Sequence, residues 1–564
     1  MSEFQLPISY LKQKETLDAN ILTDLELIDA SNNFYNHLFE TSNEFKNETI
    51  ELWSQYYTKD KRFLKDTQKL LKSNIPQINY KYADIDTFRN ENFNQELFID
   101  KYQYISWDWF TELNNNSLFL QCLSVYNITS PVLSLIMPII FLIMPFIILK
   151  LRGQEISIER YVEVLKLAFA NHQFGQLTQL SSVSWDKRAY IVVSFCFYIF
   201  QIYQNILSCV QFYQNINIIH THLFTIRDYL NDTIQHMEQL NMVTSKLTSY
   251  AGFLHDVNRH KLNLINMRNE ILEISEYKIT FKKCIEFGQL LKCYYKLNMD
   301  DDYLKSLRYS YGFISYINNL NSIQRFVQNK KMNYCKYSKT KTSFKKAYFP
   351  NMDKPVSNTY DLDKKMLITG PNAAGKTTLL KTTLFNIILS QQIGCGFYQK
   401  ANIHLYDKLH SYINIPDTSG RDSLFQAEAR RCKSILNSIH VNSKFRHFCI
   451  FDEIFSGTNP HEAISSAIAF LKHLNTQNVD YIITTHFLNI CHQLNSNDKN
   501  VNLHMNVNTR IDSKALDNEL EYTYKLKPGI SEIKGGVQVL QYLQYPKTII
   551  DETIKQIDII KSLN

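Results

Sequence analysis

The residues best able to do chemistry lie in the last third of the chain. The string Lys365-Met-Leu-Ile-Thr-Gly370-Pro371-Asn372-Ala373-Ala374-Gly375-Lys376-Thr377-Thr378 contains G-x-x-x-x-G-K-T. It follows an apolar run and precedes a helical pattern expected from Thr377 to about Ile393, which is the setting a P-loop requires. Glycines let the backbone wrap around phosphates, and the helix N-terminus adds its positive dipole end. Lys376 is expected to neutralise β- and γ-phosphate charge, and the Thr377 hydroxyl to ligate Mg²⁺.

Two further strings fit the same chemistry. His447-Phe-Cys-Ile-Phe-Asp452-Glu453 is an apolar strand ending in two carboxylates, about 75 residues after the loop. Asp452 can hold Mg²⁺ through water, and Glu453 can orient or deprotonate an attacking water. Asp480-Tyr-Ile-Ile-Thr-Thr485-His486 is a third strand, ending in a histidine able to sense a γ-phosphate. Between them, Ser423 starts an amphipathic helix. Such a serine is an N-cap by the general rule; the sharper reading makes it a donor to the γ-phosphate held by a second subunit.

These residues need a scaffold of short buried strands alternating with helices. From Lys364 onward the sequence has that α/β pattern. Nine of the 14 glycines lie beyond residue 360, and no proline occurs between Pro145 and Pro350. A stretch without proline suits long helices. Residues 223–326 repeat Leu, Ile, Met and Tyr at three- and four-residue spacing, so long amphipathic helices are expected there, as an antiparallel pair or an ordinary bundle. The basic run 339–346 with Pro350 and Pro355 marks a boundary. The 564 residues suggest about three to five domains. Gly and Pro together are about 5% of the chain, against an average near 12%, which disfavours a turn-rich all-β fold.

The formal charge is +7, so a nucleic-acid or anionic-lipid partner is permitted but not demanded. The ten cysteines form no C-x-x-C pair, and residues 1–30 are polar and acidic; reduced thiols and an intracellular protein are expected. Two apolar stretches interrupt the first half. Residues 131–149 contain one polar residue, Ser134, and are close to the roughly 20 needed to cross a bilayer. Residues 189–210 are weaker, with Gln201, Gln204 and Asn205 inside. A membrane-inserted hairpin or a buried core fits both. A hairpin places the 151–188 loop away from the ATP-using end. Lys150, Arg152, Lys187 and Arg188 flank that loop, against the positive-inside tendency. Either the hairpin only dips into the membrane, or the second stretch does not span.

Taken together, the C-terminal strings resemble the MutS family of DNA mismatch-repair ATPases. The loop is similar to G-P-N-x-x-G-K-S/T-T, and Asp452-Glu-Ile-Phe-Ser-Gly-Thr-Asn459 to D-E-x-x-x-G-T-x. Thr484-Thr-His486 is similar to its T-H switch, and Ser423-Leu-Phe-Gln-Ala-Glu428 to S-x-F-x-x-E. Pro355-Val-Ser-Asn358 and Tyr524-Lys-Leu-Lys-Pro-Gly529 also read like the family's. The likeness covers about residues 350–560. Over residues 10–330 only Asp24-Leu-Glu-Leu27 and the long helices suggest the family's core and lever.

The resemblance implies an α/β P-loop NTPase of ABC/MutS type over 346–564, with C-terminal dimerisation helices. An all-α core and lever region would precede it: a helical part at 1–125, an apolar insertion at 126–215 and a helical lever at 216–345. It implies ATP and Mg²⁺ as ligands, with Gly370 to Thr378 as the cradle and Thr377 and Asp452 on the metal. Glu453, His486 and, in trans, Ser423 would be the catalytic set. A homodimer or a heterodimer with a related subunit would couple hydrolysis to clamping of DNA. The alternative is a membrane-tethered ATP-driven switch acting on a protein or a membrane through 131–149 and 189–210. An ABC-type transporter ATPase is disfavoured, since no L-S-G-G-Q string precedes Asp452. The family's mismatch-reading Phe-x-Glu has no good match; Phe34-Tyr35-Asn36 lacks the acid.

Overall fold

The computed structural model describes all residues except 1–2, 28–33, 40–45, 79–94, 152, 154–156, 172–183, 276–284, 414, 416–422, 496–498, 511–518, 532, 534 and 564. The chain forms two compact units. One comprises residues 1–79, 236–258 and 309–564, the other residues 80–235 and 259–308. These units cut across the segments expected from sequence, because residues 1–79 fold together with the C-terminal region.

In chain order, the first unit opens with a two-stranded antiparallel pair, β1 (Lys14–Thr16) and β2 (Tyr56–Thr58). The strands β3 (Lys336–Tyr337), β4 (Ser343–Ala347) and β5 (Asn358–Asp361) follow, then β6 (Lys365–Thr369), β7 (Lys400–Ile403) and β8 (Lys408–Tyr412). The last four are β9 (His447–Asp452), β10 (Val479–Thr484), β11 (Asn500–Arg510) and β12 (Glu519–Pro528). Six of them make one sheet in the order β8-β9-β10-β6-β11-β12, parallel except for the β11–β12 pair. A second sheet has the order β3-β7-β4-β5.

Strands β6, β9 and β10 are near-continuous apolar runs because a parallel sheet is covered on both faces. Met366, Leu367, Ile368, Phe448, Ile450, Tyr481 and Ile482 have no exposed surface. The register pairs Asp452 with Thr484, and Thr484 with Ile368. The C-terminal ends of the three strands therefore finish at one edge.

The N-terminal residues seal the far end of the helix that follows β6. This helix, Lys376–Gln392, ends in two buried amides. Gln391 donates to the carbonyls of Thr58 and Tyr406, and Gln392 to those of Trp53 and Tyr56. Tyr35 donates its hydroxyl to Gln392 Oε1 at 3.1 Å. Phe34 and Tyr35 are buried against Phe385, so they are core residues here. Asp24 is likewise buried, accepting from Ser411 at 2.7 Å and pairing with Arg431 at 3.3 Å. Burial raises its carboxyl above the usual range despite those partners.

The second unit is helical. The expected 131–149 stretch lies inside one helix, Ser117–Leu151, and the 189–210 stretch inside the 60-residue helix Trp185–Thr244, whose last turns belong to the first unit. By length and composition alone, the segment Ser117–Met137 and the helix Trp185–Thr244 could each cross a membrane, and 17% and 6% of an apolar 18-residue window in each are buried. They run antiparallel, since Cys209 meets Ile128 while Asn205 and Tyr198 meet Ser134. In place of a single pair, residues 223–326 occupy the end of Trp185–Thr244 and the helices Ala251–Leu272, Phe287–Met299 and Asp301–Gln328.

Two imidazoles, the half-buried His410 on β8 and the buried His447 on β9, make the first unit acid-sensitive. His410 Nε2 and His447 Nδ1 are 3.0 Å apart and their rings stack. Burial, then the neighbouring His447, pushes His410 down to about 3, and burial also lowers His447. Between about pH 6.5 and 3 the unfolded chain then binds protons that the folded chain refuses, so stability is full above that window and falls as pH drops through it. The denaturant midpoint is expected to fall from pH 6.5 to pH 5, with a clearly smaller fall in His410→Gln. An equal fall in both proteins would show that this pair does not set the slope.

Candidate functional site

The loop 370–375 joins β6 to the helix Lys376–Gln392 at the edge where β9 and β10 also end. Its shape depends on left-handed backbone. Gly375 has φ 91° and Ala373 φ 64°. A Cβ on Gly375 would lie 3.1 Å from the Tyr524 ring, so the loop also needs the space that glycine leaves.

Lys376 is buried. Its ammonium donates to the carbonyls of Gly370 at 2.9 Å and Pro371 at 3.3 Å, and lies 3.4 Å from Glu453 Oε1. Burial lowers its pKa, opposed by the charges of Glu453 and Asp452. Glu453 stands just past β9 with φ 52° and donates its backbone N–H to the Thr484 carbonyl. Its carboxyl is held below the usual range chiefly by the bond from His486 at 2.8 Å, with Lys376 adding to the effect. Two acceptors, Glu453 Oε1 and Asn372 Oδ1, each lie 2.8 Å from His486 Nε2. They favour the tautomer with its proton on that nitrogen. The Lys376 ammonium at 3.0 Å is then a close contact of two donors.

Asp452 is fixed from two sides. Thr377 donates to its Oδ2 at 2.6 Å, and Thr484 donates to its Oδ1. A hydroxyl and a carboxylate side by side are hard oxygen donors of the kind Mg²⁺ takes while keeping most of its waters. No group of three or more His, Cys, Asp or Glu side chains suited to a metal occurs among the described residues.

A cavity of about 510 Å³ opens over the loop. Pro371 through Thr378 and Glu453 line it, and Phe349, Met352, Val356, Met505 and Tyr524 add an apolar wall. Asn358 secures that wall. Its amide donates to the Tyr524 carbonyl at 3.0 Å and accepts from Leu526 N at 2.8 Å.

Of the residues expected from sequence, Gly370 to Thr378, Asp452, Glu453 and His486 come together. Ser423 does not line this cavity. It is exposed and caps the helix Leu424–Val441 in a reciprocal box with Gln426. The apolar wall was not anticipated; Pro355-Val-Ser-Asn358 and the 524–529 string were its only traces in the sequence. Glu428 was also missed as a structural residue. It is buried and accepts from Ser456 N at 3.1 Å, Ser456 Oγ at 2.9 Å and Gly457 N at 3.1 Å. The spacing of five from Ser423 was its signal. The helix that Ser423 caps thereby holds the turn after Glu453.

Residues 366–561 match the family model of MutS domain V. The C-terminal region is that of a divergent MutS-family member. The DNA mismatch repair protein MutS of Phocaeicola vulgatus is 30% identical over 209 residues, 36% of this chain and 23% of that protein. MutS protein homolog 4 of Mus musculus is 30% identical over 207 residues, 35% and 21% of the two chains. Endonuclease MutS2 of Lactococcus lactis subsp. cremoris is 28% identical over 207 residues, 36% and 25%. The matched region spans about a quarter of the length of these relatives. MutS domain V is the family's ATPase domain and has a P-loop NTPase fold.

Removing Glu428 from this MutS-type region takes the buried acceptor away from two backbone N–H groups and a hydroxyl. Hydrogen bonds to charged groups contribute about 1.5–3 kcal/mol each before relaxation. Glu428→Ala is expected to destabilise the protein by at least ~2 kcal/mol in urea unfolding, and Glu428→Gln by less. A parent-like midpoint for Glu428→Ala would show that the turn after Glu453 does not depend on it.

Proposed function

We propose that residues 346–564 form a Mg²⁺-dependent P-loop ATPase that works in a dimer and couples ATP hydrolysis to clamping of DNA. The observation that carries this reading is the 2.6 Å bond between Thr377 and Asp452, with Lys376, Glu453 and His486 within 3.4 Å of one another beside the glycine-rich loop. Backbone N–H groups of the loop and the N-terminus of a 17-residue helix suit a triphosphate. The apolar wall of Phe349, Met352, Val356 and Met505 suits the flat face of a base.

In this reading Thr377 and Asp452 hold Mg²⁺, which supplies charge neutralisation on the phosphates. Lys376 exchanges the Gly370 and Pro371 carbonyls for phosphate oxygens. That exchange frees Glu453 from the ammonium and leaves its ionised carboxylate to orient the attacking water. His486, bonded to both Asn372 and Glu453, can report phosphate occupancy of the loop to the water-orienting acid. Ser423, exposed at its helix start, is proposed to reach the nucleotide of the second subunit. Closing the dimer across two such sites would move the helical region against DNA.

DNA as the clamped partner is supported by the names of the relatives. A second reading rests on the long, exposed apolar helices Ser117–Leu151 and Trp185–Thr244. Some of their polar groups pair across the two helices, Tyr198 and Asn205 with Ser134, as a low-dielectric surrounding favours. In that reading the hairpin is inserted in a bilayer and tethers the ATPase to an intracellular membrane face.

Lys376→Ala is expected to weaken ATP binding at least 100-fold in equilibrium titration. Glu453→Gln is expected to bind ATP yet hydrolyse it about 10²–10⁴-fold more slowly, the range of a lost acid–base group. Normal binding by the first variant, or normal turnover by the second, would remove these roles. For DNA, the logarithm of affinity should fall linearly with the logarithm of salt, by about 0.9 per neutralised phosphate. Negligible binding to homoduplex, mismatched and branched DNA at low salt would overturn the clamp on DNA and favour the membrane reading.

A further inference from the structure

The helix Trp185–Thr244 carries a polar stripe that its pairing with Ser117–Leu151 does not use. Gln201, Gln204, Ser208 and Gln211 follow one another at spacings of three, four and three, so they share one face. All four are exposed, and among the described residues their side chains have no hydrogen-bond partner. Toward the N-terminus the same face continues as Tyr190, Val193 and Phe197, again three or four apart and exposed. At 100° per residue this face lies about 100° around the helix from Tyr198, Asn205 and Cys209, which meet the other helix.

A solvated helix face would explain the glutamines alone. It does not explain the surfaces beside them. Phe200, Tyr203, Leu207 and Val210 are all more than two-fifths exposed, which is costly for a helix standing in water. In a bilayer the balance reverses. The aromatic and aliphatic side chains are solvated by lipid, and the amides become the unsatisfied groups.

We infer, resting on the bilayer reading above, that this face is the seam along which the helix pairs with the same helix of a second copy of the chain. Two copies inserted from one side of a membrane run parallel, so a two-fold axis along the membrane normal sets each residue opposite its own counterpart. Only a self-complementary side chain gains from that arrangement. A glutamine amide has both donor and acceptor; a carboxylate or an ammonium has one kind and would repel its twin. Spacings of three and four that average about 3.5 are the repeat of two helices crossing at a small left-handed angle. Tyr190, Val193 and Phe197 form the apolar half of the seam, and Gln201, Gln204 and Gln211 the half that fixes register.

The test uses the full chain, labelled at its C-terminus with donor or acceptor dye and reconstituted in phosphatidylcholine–phosphatidylglycerol vesicles without nucleotide. Energy transfer is titrated against the protein-to-lipid ratio. The triple variant Gln201→Leu, Gln204→Leu, Gln211→Leu improves the fit to lipid while removing the amide pairs. It is expected to associate about 30-fold more weakly, about 2 kcal/mol at 1.4 kcal/mol per tenfold, while resisting extraction by alkaline carbonate as the parent does. Tyr203→Leu, on another face, is expected to pair like the parent, and circular dichroism checks that each variant stays helical. Parent-like association of the triple variant in carbonate-resistant vesicles would overturn the seam alone. Release of the parent chain by carbonate would overturn the bilayer reading and the seam together.

Discussion

Asp452 stands opposite Thr484, and Thr484 opposite Ile368, so three parallel strands deliver their last residues to one line. The spacing of those residues in the chain is large, and nothing local joins them. The register does. A one-residue slip of β9 would turn Asp452 to the other face of the sheet and separate it from Thr377. The close-packed runs of β6, β9 and β10 oppose that slip, because buried side chains of different size and shape would all change places at once. Core packing therefore fixes the chemistry at the strand ends. The two hydroxyls on Asp452 are the visible result, one from the loop helix and one from the neighbouring strand.

A second layer of support holds the loops that leave those ends. Glu428 grips the turn after Glu453, Asn358 grips the strand bearing Tyr524, and Thr369 accepts from the backbone N–H of Ser531 at 2.8 Å. None of these residues carries charge to the cavity itself. Each gives a hydrogen-bond partner to backbone groups of a loop or strand beside the cavity, which ties cavity geometry to the cost of an unmade hydrogen bond. The Lys376–Glu453–His486 cluster differs in kind. Its members share few donors and acceptors, and the close approach of Lys376 to the protonated nitrogen of His486 leaves it poised to accept a better partner.

Much of this site was legible in the sequence because its determinants are local. A glycine-rich loop, a strand ending in Asp452-Glu453 and a strand ending in Thr485-His486 each declare themselves within about ten residues, and their order fixes a parallel arrangement. The apolar wall was not legible: Met352 and Met505 look like any other core methionine until the fold brings them together. The role of residues 1–79 was missed for a related reason. Their link to the C-terminal region runs through Gln391 and Gln392, whose polarity reads as a solvated helix end. Only the three-dimensional structure shows that those amides are buried and answered by the carbonyls of Thr58 and Trp53. The apolar helices were legible as apolar. Their mutual pairing through Ser134 was not, since a lone serine in such a stretch carries no address.

In Ser423 one hydroxyl has both a lone pair and a proton to offer. As the cap of its helix, its oxygen receives the N–H of Gln426 at 3.3 Å. A hydroxyl that accepts through a lone pair keeps its own hydrogen free to rotate outward. Anchoring a helix and reaching toward a neighbouring molecule are thus concurrent capacities of one side chain. Aspartate or asparagine could hold the helix equally well, yet neither offers a hydroxyl proton. Of the good capping side chains, only serine and threonine combine both capacities.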